Sequence, residues 1–127
     1  MITLAECIKY LRPEAQWSMI DNDLNQLNWE GPGEPPTQEE INDSYPEAEL
    51  YYKRLRSFLT RSNFKIALME KNYLDDVENF MSQTDDKRIQ ILWKDSDRFN
   101  RLNEDLIRMA DLMGYTEQEM DALFGIE

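Results

Sequence analysis

Trp93-Lys94-Asp95-Ser96-Asp97-Arg98-Phe99-Asn100-Arg101, read together with the run ending in Gly114-Tyr115-Thr116-Glu117-Gln118-Glu119-Met120-Asp121-Ala122-Leu123-Phe124, decides the fold. Trp93 is in register with Ile89 and Leu92, so it closes the apolar face of one helix. The acidic connector carries Phe99 to Asn103, which starts the next helix with Leu106, Ala110 and Met113 inward. Gly114 supplies a left-handed stop. Thr116 to Glu119 is a capping box, in which hydroxyl and carboxylate satisfy each other's orphan backbone donors, and Met120, Leu123 and Phe124 dock the last turn. The spacing predicts that Trp93 and Phe99 pack against the Leu106/Ala110 face. Arg101 is expected to pair at the surface with Asp95 or Asp97, its nearest carboxylates in sequence. No strand is expected between residues 84 and 124.

The residues before this run continue the helical pattern. Thr84, with Asp85 and Asp86 in the first turn, predicts the start of the helix that ends at Trp93. Leu74, Val77, Phe80 and Met81 make a shorter piece. Ser62 is a candidate cap for a helix carrying Ile66, Ala67 and Met69. Ala48, Tyr51, Tyr52, Leu55, Phe58 and Leu59 read as one apolar stripe, with Pro46 in its first turn. Residues 46–127 are therefore expected to form a bundle of short helices.

Residues 1–45 read differently. Thr3-Leu4-Ala5-Glu6 opens a helix whose face is Leu4, Ile8 and Leu11, and Pro13 ends it. Gln16–Ile20 and Leu24–Trp29 alternate around the turn chemistry of Asp21-Asn22-Asp23, which predicts a β-hairpin. Gly31-Pro32-Gly33-Glu34-Pro35-Pro36 is a connector. Thr37-Gln38-Glu39-Glu40 opens a short helix expected to stop near Tyr45, because proline disfavours helical geometry in the residue before it. The fold class is mainly α: a small helix–β-hairpin module with a Pro-rich connector, then the helical bundle.

Charge and chemistry narrow the function. The 127-residue chain carries a net charge of −12. Residues 1–49 hold 11 acids against Lys9 and Arg12, a balance of −9. Such a field repels phosphates, so neither nucleic acid nor an anionic membrane is an expected partner. No apolar stretch has the length of a bilayer span. There is no His, and Cys7 lies in an apolar periodic stretch, so the common nucleophile–base pairs and Cys/His zinc sites are excluded. No enzymatic activity, cofactor or metal is expected. Asp21-x-Asp23-x-Asn25 begins like a calcium loop, but Gln26 stands where glycine is required and Pro32 where the bidentate Glu belongs. The pairs Asp75/Asp76 and Asp85/Asp86 are explained as helix-start residues, and Asp95/Asp97 belong to the connector. Lys53, Arg54, Arg56, Arg61 and Lys65 interleave with aromatics, yet helical projection separates the two sets. That basic face suits an acidic surface, in this chain or another subunit, better than a nucleic-acid strand.

Trp17 and Trp29 fall on opposite arms of the hairpin, where cross-strand packing accounts for both. A hairpin of this size buries little, so part of an indole is expected to stay available to a partner. Together with Phe99 and Arg101, they are the candidate partner-binding residues.

Two stretches carry a family resemblance. Tyr10-Leu11-Arg12-Pro13, Trp29 and Pro36-Thr37-Gln38-Glu39-Glu40-Ile41 resemble the XkdW-type proteins encoded beside tail-fibre genes in phages and defective prophages. The Trp93–Phe124 run resembles the end of small proteins encoded beside the tail-fibre genes of bacteriophages. The resemblance spans roughly residues 1–42 and 64–124, and this chain joins both modules. It implies a protein that binds the tail fibre and assists its folding or assembly in the host cytoplasm. A permanent place in the virion, at the baseplate or the fibre attachment point, is the alternative, and it is compatible with a homo-oligomer. An acidic mimic of DNA is less favoured, because the negative excess is concentrated in the first 49 residues.

Overall fold

A computed structural model describes residues 2–126. The chain is mainly α and divides into two compact units, Met1–Tyr52 and Lys53–Glu127, each with its own apolar core.

In the first unit, α1 (Leu4–Leu11) starts at the expected capping box: the Thr3 side chain accepts from the Glu6 N–H and Glu6 returns the bond. Strands β1 (Gln16–Met19) and β2 (Leu27–Gly31) pair antiparallel, with a 3-10 turn, Leu24–Gln26, before β2. Asp21 and Asn22 take the positive φ values that the turn requires, conformations that Asp and Asn tolerate through local hydrogen bonding. The core gathers Cys7 and Ile8 from α1 with Ile41, Ala48 and Tyr52.

Those last three residues lie on α2 (Gln38–Arg56), which corrects the expected stop near Tyr45. Pro46 lies inside the helix, so the expected module junction at 45/46 falls within α2. Proline removes one helical hydrogen bond, at a cost of about 3 kcal/mol in an isolated helix. Here Ile41, Tyr45, Ala48 and Tyr52 recur at helical spacing on one face. Ile41, Ala48 and Tyr52 are buried, and the Tyr45 hydroxyl donates to the Ile2 carbonyl at 3.1 Å. Burial of that face offsets the lost bond, as tertiary packing commonly overrides propensity. Of the expected stripe, Ala48 and Tyr52 are buried, but Tyr51, Leu55 and Phe58 are 40%, 43% and 48% exposed.

The second unit contains α3 (Arg61–Glu70), α4 (Leu74–Gln83), α5 (Lys87–Asp95), α6 (Glu104–Met113) and α7 (Glu117–Leu123). Asn103, Gly114 and the Thr116/Glu119 box bound α6 and α7 as expected. Two caps move by two residues: Thr60 caps α3 in place of Ser62, and Asp86 caps α5 in place of Thr84. The expectation of no strand within 84–124 is also corrected. Phe58–Thr60 forms β3 and Arg98–Asn100 forms β4, paired antiparallel with Leu59 opposite Phe99. Bonds from the Arg61 N–H to the Asp97 carbonyl and from the Arg101 N–H to the Ser57 carbonyl, both 3.0 Å, extend the ladder at each end. The acidic connector is therefore held as an extended segment.

Candidate partner-binding surface

The second unit takes two of the four candidate residues inward. Phe99 on β4 is fully buried and stacks on Phe64 with ring centroids 4.6 Å apart. Trp93 meets both rings at 6.4 Å from a partly buried position, with the Lys65 ammonium 5.2 Å from its ring. Leu106 and Ala110 belong to the same cluster as Phe99, and Trp93 packs against that cluster.

Arg101 is buried too, and the expected surface pair with Asp95 or Asp97 is replaced by a partner on α7. Its Nε donates to Asp121 Oδ1 at 2.8 Å, and its Nη2 donates to the Glu117 carbonyl at 3.3 Å. Arg54 binds the same carboxylate through both oxygens, with Nε–Oδ1 at 2.9 Å and Nη2–Oδ2 at 2.7 Å. Burial alone would raise the Asp121 carboxyl, but hydrogen bonds from the two guanidiniums outweigh it and hold the group below the usual carboxylate range. The same bonds raise Arg54 above its ordinary value. Arg61 is also used inside this unit, donating to the Ser96 and Lys94 carbonyls near the end of α5. Arg54 and Arg61 from the expected basic face are thus committed to contacts within residues 53–127.

The first unit keeps its two candidates at the surface boundary. Trp17 and Trp29 stand directly opposite each other in the β1–β2 ladder, both half-buried and packed on the unit's core. The Trp29 indole donates to the Gly33 carbonyl at 2.8 Å, which ties the Pro-rich connector back to the hairpin. Among the described residues Trp17 has no such partner, and it lines an open groove of about 540 Å³ between α1 and the hairpin. Ala5, Glu6 and Lys9 of α1 form one wall, and Pro13, Gln16 and Glu30 contribute from the corner and the strands.

Two of the carboxylate pairs of the second unit fall at helix starts. Asp86 accepts from the Arg88 and Ile89 amides and from Arg108 Nη2 at 2.8 Å, and Asp75 and Asp76 occupy the first turn of α4. Among the described residues, no three His, Cys, Asp or Glu side chains are grouped so that they could hold a metal ion, and no helix is long and apolar enough to cross a membrane.

Sequence reasoning missed Arg54 and Asp121 as the partners of Arg101, and Lys9 and Glu30 as neighbours of Trp17. The excess charge of residues 1–49 singled out no particular side chain. No protein-family model, curated protein or solved structure matches the chain.

Proposed function

We propose that this chain is a bacteriophage tail-fibre-associated protein without enzymatic activity, which binds the fibre and assists its folding or assembly in the host cytoplasm. The phage assignment rests on the residue resemblance at 10–13, 29 and 36–41 and along 93–124. The binding role rests on one observation: a half-buried Trp17 beside an open groove, on the most acidic part of the chain. Strong net charge keeps a protein soluble while it presents a sticky surface, a combination that suits a factor holding a fibre segment before trimerisation.

A separate observation favours permanent incorporation in the virion as a second reading. Ile66 and Met69 lie one turn apart on α3 and are 46% and 55% exposed, so the second unit carries apolar surface of its own.

Co-expression with the tail-fibre protein encoded beside this gene tests the first reading. A complex that co-purifies, with a higher yield of soluble fibre, is the expected result. Unchanged yield with no complex overturns it. Mass spectrometry of purified particles separates the two readings, because a helper is absent from the particle and a structural component is present.

A further inference from the structure

We propose that the groove between α1 and the β1–β2 hairpin binds an extended peptide segment carrying an arginine or lysine, whose cationic side chain lies between the Trp17 ring and the Glu30 carboxylate. This deepens the binding role proposed above and rests on it.

The hairpin is built to present that carboxylate. Trp17 pairs with Trp29, but Gln16 pairs with Gly31, so Glu30 is an extra residue with no cross-strand partner. Such a bulge re-aims a side chain that regular alternation would send elsewhere. Gly31 follows it with φ of 88°, a conformation that glycine adopts without steric penalty. Glu30 is exposed and lines the groove beside Trp17, and among the described residues its carboxylate has no hydrogen-bonding or ionic partner. An indole face next to a carboxylate is a favourable place for a guanidinium or ammonium, through cation–π attraction and ion pairing together.

Charge and backbone define the rest of the ligand. Glu6 and Glu30 outnumber Lys9 on the groove walls, within a segment whose net charge is −9. The potential there favours a cation, and Lys9 disfavours a second one on the α1 side. Among the described residues β1 is paired on one edge only, and its Gln16 and Trp17 line the groove. A free strand edge beside a side-chain pocket is what an extended peptide uses when it adds to a sheet.

The test uses the full chain and the capped pentapeptide Thr-Val-Arg-Val-Thr, with Glu or norleucine replacing Arg as controls. Two-dimensional NMR should show the Arg peptide shifting the Trp17 indole and Glu30 amide signals, with affinity falling as salt rises. The Glu peptide should bind at least about fivefold more weakly. Glu30→Lys should remove the Arg preference while leaving thermal unfolding unchanged, and Lys9→Glu should strengthen Arg-peptide binding. Equal binding of the Arg and Glu peptides, no shift at Trp17, or an unaltered preference in Glu30→Lys overturns the proposal. So does a dimer in analytical ultracentrifugation that Glu30→Lys abolishes, because the groove would then hold a second copy. If the peptides fail but the chain still co-purifies with the fibre protein, the groove assignment is wrong and the fibre association stands. If the peptides bind but no fibre complex forms, the groove stands and the fibre reading falls.

Discussion

Arg101 and Asp121 meet through an Nε–H···Oδ1 bond of 2.8 Å with both residues buried, joining the end of β4 to α7. The same carboxylate binds Arg54, whose Nη2 also lies 3.8 Å from the exposed Glu117 carboxylate, so Asp121 is the enclosed acid of a four-charge cluster. Removing the carboxylate leaves two guanidiniums facing each other with little water. Asp121→Ala should therefore cost about 3–5 kcal/mol, as breaking a buried pair does. Arg101→Ala leaves Asp121 still held by Arg54 and should cost less, about 1.5–3 kcal/mol, the scale of hydrogen bonds to charged groups. Urea denaturation of the two variants checks the order.

The Asp121 carboxyl is held below its ordinary range, so the unfolded chain takes up a proton there at higher pH than the folded one. The stability from this group is complete above the unfolded value, about pH 4, and is lost as pH falls through the lower folded value. Thermal unfolding between neutral pH and about pH 2 should show this acid limb, and Asp121→Asn should flatten it.

Phe99→Ala should cost about 3–5 kcal/mol, because the ring is fully enclosed and stacked on Phe64. Trp93 lies at the rim of that cluster and remains partly exposed, so Trp93→Ala should cost less than Phe99→Ala. Parallel denaturation curves decide the ranking, and a larger loss at Trp93 would contradict it.

Gly114 sits at φ 81° between α6 and α7, and among the described residues no atom beyond its chain neighbours lies within 4 Å of where a Cβ would be added. Gly114→Ala should therefore lose only the backbone term, about 1 kcal/mol, without overpacking. Thr116→Ala removes the acceptor of the Glu119 N–H bond and should cost a similar amount, about 1 kcal/mol. Both are read from thermal unfolding.

Features written within a few residues of each other were legible in the sequence. The Thr3/Glu6 and Thr116/Glu119 boxes, the Asn103 cap and the Gly114 stop are all local chemistry, and the Trp17–Trp29 opposition follows from the alternation on either side of one local turn. Features that depend on distant partners were not. The β3–β4 pair joins two three-residue strands lying far apart in the chain, too short for alternation to announce either. The Arg101–Asp121 bond spans 20 residues, while Asp95 and Asp97 were closer in sequence and chemically equivalent. Pro46 misled for a different reason: its local rule is sound, but the 41-45-48-52 spacing of apolar residues outweighs it. At the candidate site, Trp17 was visible from composition and the hairpin pattern. Glu30 was not, because a bulge is a property of the pairing register.

Hydrogen–deuterium exchange on the full chain, alone and co-purified with the tail-fibre protein, tests the central claim that the first unit is the fibre-binding surface. The account predicts slowed exchange within residues 5–17 and 27–31, around the Trp17 groove. Protection confined to residues 53–127, with the hairpin unchanged, would contradict it.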